Sequence, residues 1–227
     1  PLKLSGEVIA DMFMGTITKW NDPRIAQLNP GVRIPSADVI VVHRTDGSGT
    51  TYIFSDYLSS VSPAWLSKVG RGQSLDWPVG LGGKGSEGVM GQVKQLPGAV
   101  GYVELSYAKQ NRLPVALVRN KAGAWVAPTL ESVTAAAAGA AAKLPANTDY
   151  RISIVNAPGR AAYPISSFTW ILVYQHPKDP ARSKALVNFL RWAYNNGESV
   201  AGSLDYSPLP AAMIKRLEAR LNTLGGA

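Results

Sequence analysis

The sequence contains no cysteine. That excludes disulfides, thiolate catalysis and Cys-ligated zinc or iron–sulfur centres. It does not fix a compartment, because a cysteine-free chain suits an oxidising space as well as a reducing one. No apolar run approaches the ~18 residues of a membrane-spanning helix. The stretch Ala135–Ala142, broken by Gly139, is too short and too weakly apolar, and it reads as a solvent-side helix or a permissive loop. There are two histidines, His43 and His176, far apart in sequence. The carboxylates lack calcium-loop spacing, so no metal site is expected. No repeat of fixed period is visible. The formal charge is +8, but Lys and Arg are scattered and do not alternate with aromatics. The charge therefore reads as solubility, and no nucleic-acid partner is expected. The opening Pro1-Leu2-Lys3 is not a natural start and predicts a processed or cut fragment.

The chain has 227 residues, enough for one large domain or two small ones. Ser5 can cap a helix to about Met14 with Ile9, Met12 and Phe13 inward. A short helix from Pro23 stops at Asn29-Pro30-Gly31. The β-branched block Val39–Val42 marks a strand covered on both faces. A helix follows from Gly49 to about Ser60, with Tyr52, Ile53, Tyr57 and Leu58 as candidate buried positions. The segment "LDWPVGLGGKGSEGVMGQVKQL" reads as a Gly-rich loop feeding a helix from about Ser86, capped by Ser86, to Leu96. Next come a buried strand in "PGAVGYVEL", a helical piece at Ser106–Asn111, a strand in "LPVALVRN" and a hairpin in "KAGAWVAP". A helix is predicted through Leu130–Ala142. "YPISSFTWILVYQH" has the pattern of a strong strand. Pro180–Asn196 reads as an amphipathic helix with Ala185, Leu186, Phe189, Leu190 and Ala193 inward, and Pro210–Leu224 as the last helix. Trp20, Trp65, Trp77, Trp125, Trp170 and Trp192 read as core or lobe-interface residues. Strands alternating with helices imply an α/β layered fold with a mainly parallel sheet.

The most informative stretch is "VIVVHRTDGSGTTYIFSDYL". In an open α/β sheet, ligands bind off the carboxyl ends of strands, where helices begin. "RTDGSGTT" lies at such a corner. The first amides of a helix lack internal partners and sit at the positive end of its dipole. Gly47 and Gly49 allow close approach and unusual dihedrals, while Ser48, Thr50 and Thr51 add hydroxyls. Together these describe an oxyanion cradle. Arg44 adds a forked cation suited to two oxygens of one anion. Asp46 can orient that guanidinium, or it can simply cap the helix, with Ser48 filling a turn. Anion binding, capping and catalysis all remain open on the motif alone. A nucleophile elbow needs Gly-x-Ser-x-Gly, and Asp46 breaks that pattern. His43, one strand residue before Arg44, faces away from the corner. "GLGGKGSEG" fails as a nucleotide phosphate loop, because Gly85 and not Ser or Thr follows Lys84.

Several segments occur in an order that resembles phosphate-specific periplasmic binding proteins (PstS-like). They are the opening "LSGEVIADMFMGTITKWNDPRIAQLNPGVRIPS", "RTDGSGTTYIFSDYL", "WPVGLGGKGSEGV", "LPGAVGYVELSYA", "YPISSFTWILV" and "LDYSPLP". The likeness covers nearly the whole chain and is weakest across Asn120–Ala161. It implies a type II periplasmic-binding-protein fold, two α/β lobes joined by a hinge, that binds inorganic phosphate. It also implies delivery to the membrane permease of a phosphate ABC importer, a periplasmic or exported cell-surface location, no enzymatic step and no cofactor. The matching phosphate-binding positions are Arg44, Asp46, Ser48, Gly49 and Thr50, with the Asp salt-linked to the Arg beside the anion. Residues 1–159 correspond to the second, inserted lobe, and residues 160–227 to the returning part of a first lobe that is incomplete here. The segment expected to supply the other ligand groups does not precede Pro1, so an N-terminal fragment of the same protein is an expected partner. The rival from the residues themselves is a phosphatase or phosphoryl-transfer enzyme using the same cradle.

Overall fold

The computed structural model describes residues 1–141, 144–145 and 148–224. It begins with β1 (Lys3–Leu4), α1 (Gly6–Phe13) and α2 (Pro23–Leu28). Ser5 caps α1 by accepting from the Val8 amide, and Asp22 caps α2 ahead of Pro23. Next come β2 (Ile40–Arg44), α3 (Gly49–Val61), α4 (Pro63–Lys68), β3 (Leu81–Gly83), α5 (Gly85–Gln95), β4 (Ala99–Gly101) and α6 (Leu105–Gln110). The hairpin strands β5 (Leu117–Arg119) and β6 (Trp125–Val126) precede α7 (Leu130–Ala141). The chain finishes with α8 (Pro180–Trp192), a π-helical turn at Ala193–Gly197, α9 (Glu198–Ala201) and α10 (Ala211–Leu221).

Two small sheets organise these elements. In the first, β2 lies between β3 and β4 and is parallel to both, pairing Arg44 with Gly83 and Val42 with Gly101. All of its carboxyl ends therefore meet at one edge, and the turns after β2, β3 and β4 converge there. In the second, β5 pairs parallel with β1 and antiparallel with β6. The predicted α/β layering with a mainly parallel sheet is what forms. Its core is aromatic. Phe54 stacks on Tyr102 at 4.5 Å between ring centroids, Phe13 meets Phe54 edge-on at 4.7 Å, and Trp77 extends the stack to His43 at 4.8 Å.

The Gly-rich stretch is not a loop throughout, because β3 runs through it. Glycine disfavours strands, but here it permits close packing. A Cβ on Gly83 would stand 2.6 Å from the Val89 amide of α5, so only glycine lets the helix lie on the strand. Ser86 does not cap α5. Lys84 occupies the cap position without a side-chain bond, and the Ser86 hydroxyl turns elsewhere.

The alanine-rich helix α7 is neither solvent-side nor a loop. Ala136, Ala137 and Ala140 are buried, and a Cβ on Gly139 would collide with the Pro158 carbonyl. The predicted end at Ala142 lies outside the described residues.

Larger departures concern the second half. "YPISSFTWILVYQH" forms no strand, since among the described residues no strand offers it hydrogen bonds. Leu172 and Tyr174 stay almost fully exposed, and Trp170 and Trp192 are likewise exposed and not core. In α8 the inward stripe is Ser183, Val187 and Leu190, packed toward Leu221 and Leu224, while Ala185, Leu186 and Phe189 face out. The helix is rotated because α10 covers that stripe and no other. Tyr52 is also exposed, whereas Tyr57 and Leu58 are buried as expected.

The fit of β3 to α5 is testable by urea unfolding. Gly83→Ala should lower stability by about 2 kcal/mol through overpacking. Gly91→Ala, in the same helix, places its Cβ where nothing lies within 4 Å. It should raise stability by up to about 1 kcal/mol. Equal effects at the two positions would contradict this packing.

Candidate functional site

The corner after β2 is built from three turns. Arg44 ends β2, and its own amide donates to the Tyr102 hydroxyl at 3.2 Å. The same hydroxyl pairs with Thr51 Oγ1 at 2.7 Å, so a residue just past β4 ties the strand end to the first turn of α3. Ser48 is the α3 cap: its hydroxyl oxygen accepts from the Thr51 amide at 3.2 Å. The Ser48 amide donates to the Gln73 carbonyl, which fixes the cap residue from the opposite side. Of the motif's hydroxyls, Thr51 is thus part of the support and not of the open face.

Asp46 takes the guanidinium side-on. Arg44 Nε donates to Oδ1 at 2.9 Å and Nη2 to Oδ2 at 2.5 Å. Oδ1 also accepts from the Gly85 amide at 3.0 Å, so Asp46 joins the turn before α3 to the turn before α5. The capping alternative therefore resolves with Ser48 capping α3 and Asp46 bridging to α5. One expectation about Arg44 is refined by this geometry. Its Nε–Nη2 edge is closed by Asp46, which leaves Nη1 and the second Nη2 proton for a ligand. Nη1 already leans on Ser86 Oγ at 3.4 Å.

The glycines also work differently from the sequence reading. Neither Gly47 nor Gly49 has a positive φ, so unusual dihedrals are not their purpose. A Cβ on Gly49 would meet nothing within 4 Å. Its absence keeps open the space in front of the helix. Among the described residues, the Gly49 and Thr50 amides have no acceptor. Two unpartnered N–H groups, the Ser48 hydroxyl and the Nη1 side of Arg44 thus lie together at the corner between β2 and α3. Arg44, Asp46, Ser48, Gly49 and Thr50 are brought together as the spacing predicts.

His43 lies outside this group. Its ring stacks on Trp77 with an interplanar angle of 12°, and Nδ1 lies 3.1 Å from the Arg44 carbonyl oxygen. Two other residues lie inside it unforeseen. Ser86 Oγ donates to Glu104 Oε2 at 2.5 Å, and Thr50 Oγ1 donates to Glu104 Oε1. Glu104 ends the turn after β4 in "GYVEL". A carboxylate just past a parallel strand lands on the ligand-binding edge, but only the strand order, which no local pattern gives, brings this one to Thr50.

Charge follows geometry. The hydrogen bonds from Arg44, and then the Gly85 amide, hold the Asp46 carboxyl well below the usual range, while Asp46 raises Arg44. Partial desolvation pushes Glu104 up, but the Ser86 and Thr50 hydroxyls more than offset it, so it too lies below its ordinary value. Burial pushes the Tyr102 hydroxyl up and keeps it protonated. At neutral pH the site therefore holds ionised Arg44, Asp46 and Glu104. Among the described residues, no group of three or more His, Cys, Asp or Glu side chains gathers to hold a metal ion. No helix there is long and apolar enough to cross a membrane.

A parallel α/β sheet with an amide-lined corner at its carboxyl edge is a frame on which α/β folds bind small ligands. The chain belongs to the family described as the PBP superfamily domain, whose model matches residues 1–196.

Its relatives are specific. It is 47% identical over 218 residues to the phosphate-binding protein PstS of Xylella fastidiosa, a match that covers 96% of this chain and 59% of that protein. It is 46% identical to the phosphate-binding protein PstS of Pasteurella multocida, over 98% of this chain and 64% of the relative. The chain thus spans less than two thirds of the length of these relatives. Among solved structures, the periplasmic phosphate-binding protein PfluDING bound with phosphate superposes with a TM-score of 0.69. That likeness has 22% identity and covers 96% of this chain and 65% of the other. It shows the fold.

The Arg44–Asp46 pair gives a sign-checked prediction. A carboxyl depressed in the folded state contributes stability that is present above its unfolded value and lost as pH falls through the folded one. The Asp46 carboxyl carbon, followed by NMR, should titrate below the ordinary 3.8. A midpoint at or above that value would mean the side-on pair does not hold in solution.

Proposed function

We propose that the chain carries the phosphate-contacting part of a solute-binding receptor, working in the periplasm or at the exported cell surface. In this reading the receptor closes on inorganic phosphate between two lobes and passes it to the membrane permease of an ABC importer. The observation that carries it is the open face at the start of α3. There the unpartnered Gly49 and Thr50 amides, the Ser48 hydroxyl and the outer edge of Arg44 converge. The names of the PstS relatives support the same ligand. Arg44, Ser48, Gly49 and Thr50 bind the anion, and Asp46 orients Arg44 beside it.

Residues 1–159 form the inserted second lobe and residues 160–227 the returning part of the first. Support comes from the apolar segment around Ile171–Tyr174, whose exposure fits a strand that pairs with chain from elsewhere. The buried side chain of Asn120 marks the crossover, donating to the Gly159, Arg160 and Ala162 carbonyls at 3.1, 3.0 and 2.9 Å. The cradle grips one side of an anion, so a second set of groups, on an N-terminal segment of the same protein, completes the site.

Selectivity follows from protonation. Phosphate at neutral pH still carries a proton, and sulfate carries none. An ionised carboxylate beside the anion accepts a hydrogen bond from the first and repels the second. Sites that pair with a ligand hydroxyl reject analogues lacking it by roughly 10⁴-fold. An enzymatic use of the cradle would need an activated nucleophile. The Ser48 hydroxyl is held as a helix cap, and the His43 ring packs on Trp77, away from it.

Titration calorimetry on the full-length protein tests the proposal. Phosphate should bind, sulfate should bind far more weakly, and Arg44→Ala should weaken phosphate binding by about 100-fold, the value of a charge-assisted hydrogen bond in such a site. No heat with phosphate, or equal affinity for both anions, would refute it. Release of nitrophenol from a phosphate ester, lost on Ser48→Ala, would move the site to the enzyme class.

A further inference from the structure

Both places where the chain passes between the proposed lobes are held by a buried asparagine. The first is β1, which pairs with β5 on one side. On its other side Asn29 stands where a further strand would, and it closes that edge. Its Oδ1 accepts from the Lys3 amide at 2.8 Å, and its Nδ2 donates to the Lys3 carbonyl at 2.9 Å. Nδ2 also donates to the Ile25 carbonyl at 2.9 Å, so the clamp is fixed to α2. The second passage begins at Gly159. Asn120, one residue past β5, accepts on Oδ1 from the Ala122 and Ala124 amides at 3.1 and 3.0 Å. Its two Nδ2 protons are shared among the Gly159, Arg160 and Ala162 carbonyls. Both side chains are buried and use their whole amide.

The main chain stays tied down a little beyond the reach of Asn120. The Tyr163 amide donates to the Ser132 carbonyl of α7 at 3.0 Å, and the Asn156 amide donates to the Pro164 carbonyl at 2.8 Å. Ala162 is fully buried against Ala136 and Ala157. Past Pro164, among the described residues, no bond between main-chain groups links 165–170 to the residues before them.

We propose that Asn29 and Asn120 are positioning residues for lobe closure: they fix both connecting segments to β5, so that the bend falls outside them, before Lys3 and past Pro164. The mechanical boundary then lies a few residues beyond the topological one at residue 159. Two connections fixed to one strand allow rotation about a single axis and resist twisting. The groups of the other lobe therefore return to the same place over the ligand at each closure. Neither asparagine touches the ligand for this. The inference rests on the two-lobed reading given above.

Hydrogen exchange of the full-length protein, followed by mass spectrometry with and without inorganic phosphate, locates the bend. Segment 157–164 should exchange alike in both states, while 165–170 should change, because only the latter deforms on closure. Asn120→Asp keeps the size and the two accepted bonds but sets a carboxylate oxygen against three carbonyls. It should speed exchange in 157–164 and weaken phosphate binding by about tenfold, as a smaller share of the molecules can close correctly. Asn29→Asp should loosen the Lys3–Leu4 strand and weaken phosphate in the same direction. Val187→Ala truncates the core between α8 and α10 and touches neither connection. It should lower stability and leave phosphate affinity unchanged.

If 157–164 changes its exchange on phosphate binding as much as 165–170 does, the bend lies within the clamp and the inference is overturned. That result needs no variant, so it decides the matter even where Asn120→Asp fails to fold. A folded Asn120→Asp with wild-type affinity, or a Val187→Ala that weakens phosphate equally, overturns it as well. Wild-type protein that binds no phosphate, or binds it without any change in exchange at 165–170 or 157–164, refutes the two-lobed reading and this inference with it. Binding with a change inside 157–164 refutes the inference alone.

Discussion

The side-on pairing of Arg44 with Asp46 is the constraint on which the rest of the site hangs. It fixes the guanidinium plane, closes one edge of it and leaves the other edge turned outward. Through Oδ1 the same carboxylate reaches the Gly85 amide, so the β2–α3 turn and the β3–α5 turn are held in one arrangement. Only the Arg44 side chain is largely buried; Asp46 is partly solvated. A pair so placed adds little to stability in itself. Its value lies in orientation, because a loose arginine would lose side-chain entropy on meeting a ligand and this one is already ordered.

That arrangement is possible because β2 is the middle strand of a parallel sheet. Parallel strands put all their carboxyl ends on one side, so turns distant in sequence become neighbours. Ser86 follows β3 and Glu104 follows β4, yet Ser86 reaches Arg44 at the end of β2 and Glu104 reaches Thr50 on the first turn of α3. Tyr102 supports the corner from beneath, with its ring stacked on Phe54 and its hydroxyl on the Arg44 amide and Thr51. The hydrophobic core and the polar corner are therefore one structure, since a shift of the aromatic stack would move the residue that holds the strand end.

Much of this was legible in the residues. Ser5 announces its helix by capping, and the β-branched block before Arg44 announces the central strand, whereas the α3 cap proved to be Ser48 and not Asp46. The Arg44–Thr50 cluster was readable because a short motif carries all of it. Glu104 and Ser86 were not, since their contribution depends on which strands lie side by side, and strand order is not written in any local pattern. The glycines of β3 hid a strand because propensity argues against it, while tertiary contact with α5 requires it. The segment 163–176 misled in the opposite way. Its pattern is that of a strand, but a strand forms only where a neighbour supplies hydrogen bonds. In α8, two apolar stripes competed, and the one facing Leu221 and Leu224 was buried.

The most direct measurement is a crystal structure of the full-length protein grown with orthophosphate. The anion should lie at the start of α3, with the Gly49 and Thr50 amides, Ser48 Oγ and Arg44 Nη1 within hydrogen-bond distance and Asp46 still side-on to Arg44. Density for phosphate elsewhere with this corner filled by water, or an Arg44 that leaves Asp46 to reach the ligand, would contradict it.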